Sequence, residues 1–213
     1  GDVMNHTSKK LCTSIQLHSI SKSYSSKKVL QEVSMVFEPG ILYLVTGENG
    51  SGKSTLLKCI MKLIRFDGEI GMDKHVRIGY APEQYVMPEF VTVYDFLNKL
   101  GKLRALKSNA VYTLDYYLNL FGLHEMKHKQ IGLLSNGGKQ KVNLIQAMMN
   151  EPSILILDEP LRALDVESQK QCIQLIRQRV EKGITIISTH ELEKLKTKNS
   201  QVVQLSNGTI ILL

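Results

Sequence analysis

The sequence predicts an α/β fold built on a parallel sheet, and three observations carry that expectation. The glycine-rich stretch Gly47-Glu48-Asn49-Gly50-Ser51-Gly52-Lys53-Ser54-Thr55 lies between the apolar run 41–46 and a segment whose Leu56, Leu57, Ile60, Met61 and Ile64 recur at helical spacing. Ile154-Leu155-Ile156-Leu157 and Ile184-Thr185-Ile186-Ile187-Ser188 have the near-continuous apolar character of strands buried on both faces of a parallel sheet. Residues 91 to 129 switch to helical spacing, which reads as an all-helical insert in that frame. With 213 residues, 43% of them hydrophobic, the chain suits one such domain with an inserted subdomain.

Taken in order, residues 1 to 13 are polar and expected to be loosely held. Ser14 to Ile20 alternates as a strand, and Ser21 to Lys28 reads as a polar turn. Val29 to Phe37 is a second strand with Val33, Met35 and Phe37 on one side, closed by Pro39-Gly40. A helix is expected over 53 to 64, then a tight turn and short strand at Phe66 to Gly71, and a strand at Val76 to Tyr80 that ends in Ala81-Pro82-Glu83-Gln84. In the insert, Val93, Phe96, Leu97 and Leu100, then Val111, Leu114, Tyr117, Leu118 and Phe121, keep helical spacing. Gly132 to Lys141 leads into a helix through Val142, Leu144, Ile145, Ala147 and Met148. Val166 to Val180 is helical, with Cys172, Leu175, Ile176 and Val180 inward. Val202 to Leu205 and Thr209 to Leu212 form a hairpin around Ser206-Asn207-Gly208.

The chemistry concentrates at the ends of these strands. A helix N-terminus presents unpaired N–H groups and a positive dipole end, and glycines let the backbone wrap an anion, so Gly47 to Thr55 has the pattern and the context of a phosphate-binding loop. Lys53 is placed to reach the terminal phosphates and Ser54 to offer a hydroxyl to Mg²⁺. Asp158 and Glu159 end a buried strand, where ligands gather in open α/β sheets: Asp158 to hold Mg²⁺ and Glu159 to polarise an attacking water. His190 follows a strand expected beside that one, and reads either as a cap or as a phosphate contact. Tyr24 can stack on an adenine ring or pack on the domain edge. The Ser135 to Gly138 stretch is a second anion site or, more simply, an N-cap.

Composition narrows the partners. The net charge of +7 suits anions, but no arginine-rich arm or basic-aromatic interleaving is present, so no nucleic-acid partner is expected. No apolar run approaches the roughly 18 residues of a membrane span. Gly1 to His6 has no apolar signal core and Met4 reads as the native start, so the expected location is the cytoplasm. Cys12, Cys59 and Cys172 are scattered, as reduced thiols are.

With these residues in order, the chain from about Ile15 onward resembles the ATP-binding subunit of an ABC transporter. Gly47 to Thr55 matches the family's Walker A loop, Ile154 to Glu159 its Walker B strand, Leu134 to Gly138 its signature, Leu164-Asp165 the end of its D-loop, His190 its switch histidine and Tyr24 its adenine-stacking aromatic. The resemblance implies a P-loop NTPase (RecA-like) core over 14–84 and 134–213 with a small antiparallel β-subdomain, and an inserted α-helical subdomain over 85–133. It implies ATP and Mg²⁺ as ligands, with Glu159 and His190 catalytic. ATP would contact Tyr24, Gly47, Asn49, Gly50, Ser51, Gly52, Lys53, Ser54, Thr55 and Glu83 or Gln84, and the metal Ser54, Asp158 and Gln84. Ser135 and Gly137 would reach the ATP of a second cassette, and separate transmembrane permease subunits would be driven from the cytoplasmic face of the membrane.

Three departures from the family pattern stand out. The signature reads Leu-Ser-Asn-Gly-Gly, Arg162 replaces the usual Ser or Asn of the D-loop, and the Q-loop glutamine falls on Glu83 or Gln84 according to register. The short span from Lys53 to Glu83 implies a trimmed β-subdomain. The compact single cassette looks most like exporter subunits; the rival reading is a soluble cassette ATPase without a permease.

Overall fold

The structure, a computed structural model, describes residues 14–108 and 113–213; Met4, Cys12 and Val111 lie outside them. Two sheets organise the chain. Strands β1 (Ile15–Tyr24), β2 (Lys27–Phe37) and β4 (Asp67–Gly71) make an antiparallel sheet in the order β2-β1-β4. The larger sheet holds β3 (Leu42–Thr46), β5 (Ile78–Ala81), β6 (Ile154–Asp158), β7 (Ile184–Ser188), β8 (Ser200–Ser206) and β9 (Thr209–Leu212) in the order β5-β6-β7-β3-β8-β9. Its neighbours pair in parallel except β8 and β9, which form a hairpin through Asn207 and Gly208, both at positive φ.

Side-chain alternation splits each central strand between two cores. Leu42 and Leu44 of β3, with Leu155 and Leu157 of β6, face the cluster built by the helices. Tyr43 and Val45, with Ile154 and Ile156, face the cluster under β1, β2 and α1 (Lys53–Ile60). All of these residues are buried, so apolar side chains along the whole length of a strand stabilise a sheet covered on both sides.

The remaining helices are α2 (Val93–Ser108), α3 (Leu114–Leu120), α4 (Asn136–Met148), α5 (Val166–Arg179) and α6 (Leu192–Leu195). Arg104 of α2 donates to the Gln146 backbone and side chain of α4, tying the insert to the sheet-covering helix. Among the described residues no helix is long and apolar enough to cross a membrane. Cys59 and Cys172 are buried free thiols, their pKa values pushed up by burial to about 11 and about 12.

Several sequence expectations are corrected. The polar stretch 21–28 is mostly strand: β1 runs to Tyr24 and β2 starts at Lys27, with only two residues turning between them. This ribbon carries repeated register shifts, which is why its sequence lacks clean alternation. Helix α1 stops at Ile60 rather than 64, because Lys62 takes a left-handed φ of 57°. The short helix α6 was not expected.

Candidate active site

The sheet brings the ends of β3, β5, β6 and β7 to one edge, so residues far apart in sequence meet there. Gly47 leaves β3 at φ 154°, where a Cβ would stand 2.6 Å from the Leu205 carbonyl oxygen. Gly52 then starts α1 at φ 100° with no side chain capping the helix, so the first-turn N–H groups are left for an anion. Lys53 is buried and its ammonium donates to the Gly47 carbonyl.

β6 ends on Asp158, which is 4% exposed. Its carboxylate accepts from Ser54 Oγ at 2.7 Å and from Ser188 Oγ. Ser188 is the strand partner of Asp158 in β7, and its carbonyl and hydroxyl also accept from the Glu159 N–H, at 3.0 and 3.1 Å. Ser188 therefore orients both acidic residues. It was read only as a strand residue, and the register of β6 on β7 is what exposes its role.

Glu159 takes the left-handed region at φ 48°, an unfavourable conformation for a side-chain-bearing residue. Its Oε2 accepts from the His190 N–H at 3.4 Å, while Oε1 is buried without a hydrogen-bond partner. The His190 Nε2 atom stands 3.2 Å from that Oε1, within ion-pair reach but off a hydrogen-bond line. The same nitrogen lies 3.2 Å from Lys53 Nζ and 3.1 Å from Asn49 Oδ1. Burial raises the Glu159 pKa above the ordinary carboxylate value, against the lowering pull of His190 and Lys53. Burial lowers the Lys53 pKa, against Glu159, Asp158 and Glu83, which favour its charge.

A cleft of about 400 Å³ collects Tyr24, Asn49, Gly50, Gly52, Lys53, Ser54, Thr55, Glu83, Asp158, Glu159 and His190. Gly47 and Ser51 line an adjoining cavity on the other side of the loop. Glu83 lines the cleft and Gln84 does not; Gln84 lines a neighbouring cavity with Asn136 and Arg162, and Glu83 stands between the two, lining both. Ser135 and Gly137 lie outside the cleft. Ser135 caps α4, accepting from the Gly138 N–H at 3.1 Å, and Gly137 sits where a Cβ would come 2.8 Å from the Ala163 carbonyl oxygen. Tyr24 is 49% exposed at the cleft rim, with Lys22 Nζ 5.0 Å from its ring centre.

Comparison with known proteins gives a consistent picture. The sequence pattern of the ABC transporter family matches residues 30–162. An ABC transporter ATP-binding protein of Methanocaldococcus jannaschii is 34% identical over 92% of this chain and 76% of its own length. A zinc import ATP-binding protein of Mannheimia succiniciproducens is 33% identical over 89% of this chain and 71% of its own. A methionine import ATP-binding protein of Listeria monocytogenes is 34% identical over 92% of this chain and 65% of its own. Among solved structures, an ATP-binding subunit of an ABC transporter superposes with a TM-score of 0.83 at 26% identity, covering 94% of this chain and 90% of that one. A dimeric ATP-binding cassette with bound ADP and phosphate shares the fold, with a TM-score of 0.81 at 21% identity, covering 93% and 97%.

Proposed function

Because the chain belongs to the ABC transporter family of ATP-binding subunits, which are ATPases, we propose that it powers solute movement through separate membrane permease subunits by hydrolysing ATP in the cleft at the ends of β3, β6 and β7. The observation that carries this is the meeting of Lys53, Ser54, Asp158, Glu159 and His190 around an uncapped helix N-terminus. The triphosphate would lie on the N–H groups of the 47–55 loop, and its charge would favour the ammonium of Lys53 that burial disfavours. Tyr24 lines the rim of the same cleft, where it would stack on the adenine ring.

Ser54 and Asp158 suit Mg²⁺: a hydroxyl and a carboxylate, both hard oxygen donors, held 2.7 Å apart at the foot of the loop. When bound, the ion would neutralise charge on the β- and γ-phosphates. Glu83, which lines the cleft where Gln84 does not, would be the Q-loop residue facing them. The proton of the attacking water would pass to Glu159, whose buried Oε1 has no hydrogen-bond partner and whose raised pKa makes it a stronger base. His190 would hold the γ-phosphate once Lys53 turns from it to the nucleotide.

In this reading residues 14–84 and 134–213 form the nucleotide-binding core, and 85–133 the helical subdomain that meets the permease. The loop before α2 exposes Val86 and Phe90, at 95% and 86%, in keeping with that docking. A second cassette would supply Ser135 and Gly137 to each ATP, and the chain would sit on the cytoplasmic face of the membrane. The methionine and zinc relatives described above are import proteins by name, which favours import over the export expected from the cassette's compactness.

The test is affinity purification of tagged Glu159→Gln protein from gently solubilised native membranes with ATP and Mg²⁺. A stoichiometric polytopic membrane protein is expected. Recovery of soluble partners alone would favour a cassette ATPase without a permease and overturn the transport reading. The same variant should bind ATP but hydrolyse it about 10²–10⁴-fold more slowly; unchanged turnover would remove Glu159 from catalysis.

A further inference from the structure

Three carboxylates, of Glu83, Asp158 and Glu159, line the cleft proposed for a polyanion. Asp158 is held by Ser54 and Ser188, and Glu159 stands against His190. Glu83 depends on a different partner: its Oε1 forms an ion pair with Arg162 Nη1. Arg162 closes the turn that begins at the catalytic glutamate, its N–H donating to the Glu159 carbonyl at 3.2 Å. The turn is held in a fixed shape, with left-handed φ at Glu159 and at Ala163, 48° and 63°.

Both ends of the ion pair are braced on one helix. From α4, Asn143 Nδ2 donates to the Pro82 carbonyl at 2.9 Å, fixing the backbone just before Glu83. Gln140 Nε2 donates to the Pro160 carbonyl, also at 2.9 Å, fixing the backbone just before Arg162. Gly137 lets α4 approach Ala163, where any Cβ would collide with the carbonyl oxygen. The two loops thus stand at a set separation, which the Arg162 and Glu83 side chains span.

From this geometry we infer that Arg162 is a positioning residue for nucleotide binding: it draws the Glu83 carboxylate to the wall of the cleft and neutralises the charge that would otherwise face the triphosphate. The inference rests on the ATP-binding reading of the cleft and adds a residue to it. Arginine suits the task because its guanidinium stays charged at any working pH and grips a carboxylate in fixed geometry.

The test is titration with mant-ATP and Mg²⁺ of the wild-type chain, Arg162→Gln, Glu83→Gln, the double variant and Arg162→Lys, each checked for folding by urea unfolding. Arg162→Gln should weaken binding about three- to fivefold, the range open to a partly exposed pair. The loss should vanish in the Glu83→Gln background, shrink as salt is raised, and be partly restored in Arg162→Lys. An equal loss with or without the Glu83 charge, or no loss in Arg162→Gln, overturns the inference while leaving the cleft a nucleotide site. A wild-type chain that binds no mant-ATP would overturn the nucleotide reading, and this inference with it.

Discussion

Helices α1 and α4 both start on a glycine-bearing segment, yet their N-termini are completed in different ways. At α1, Gly52 sits in the left-handed region and no side chain caps the first turn. At α4, Ser135 is extended and its hydroxyl accepts from the Gly138 N–H, satisfying one of the free donors within the chain. The first start has no donor paired by a side chain and is left open to an anion; the second already has one of its donors paired within the chain. Ser135 nevertheless keeps its own hydroxyl proton, which a phosphate brought by a second cassette would accept without breaking the cap. One start would therefore bind by itself and the other only as part of an assembly.

That contrast is broken most directly at Lys53. Lys53→Ala removes the charged donor at the open start and should weaken ATP binding by the isolated chain roughly 10–100-fold, as the loss of a charge-assisted hydrogen bond does. Ser135→Ala in the same titration should change nothing. If the two variants behaved alike, the distinction between the starts would be wrong. Tyr24→Ala comes next: loss of base stacking should weaken binding by about 1–3 kcal/mol if the rim position is used as proposed. Unchanged affinity would leave Tyr24 a packing residue beside Lys22.

Ser135→Ala shows its effect elsewhere. Loss of the cap should lower unfolding free energy in urea by about 1 kcal/mol. It should also slow hydrolysis at protein concentrations where cassettes pair. A stability loss without an effect on hydrolysis would reduce Ser135 to a cap and deny it the cross-cassette contact.

The open start was legible in the sequence because everything that makes it is local: apolar strand, glycines, lysine, helix. The Asp158-Glu159 pair was legible for a similar reason, since four apolar residues announce the buried strand and the acids mark its end. What sequence spacing could not supply is anything set by strand order. Ser188 reaches Asp158 only because β7 lies beside β6, and Arg162 reaches Glu83 only because α4 braces two loops 79 residues apart. Likewise, whether Glu83 or Gln84 faces the cleft depends on how β5 leaves the sheet, which one residue of register decides. The β1–β2 ribbon was cut short for the opposite reason: its polar tip has no buried face, so no pattern marks it as strand.

The smallest expected effect is on pH dependence, where a cleft acid and a helix cap should oppose each other. Burial raises the Glu159 pKa above 4.5, so between the unfolded and folded values the native chain holds the extra proton. That favours folding at low pH, and the contribution is lost as pH rises through the folded value. Asp165, which caps α5 by accepting from the Ser168 N–H at 2.7 Å, is shifted the other way by that bond. Its contribution is present above 3.8 and lost as pH falls through the folded value. Urea unfolding without nucleotide, followed from below pH 3.8 to neutral pH, should therefore lose a falling component in Glu159→Gln and, at the acid end of that range, a rising one in Asp165→Asn. In hydrolysis only Glu159 should count, with the acid limb above the ordinary carboxylate range because a protonated base takes no proton from water. A limb that stays put when Glu159 is shortened to Asp would assign it to another group, and the open start of α1 would then need a different base.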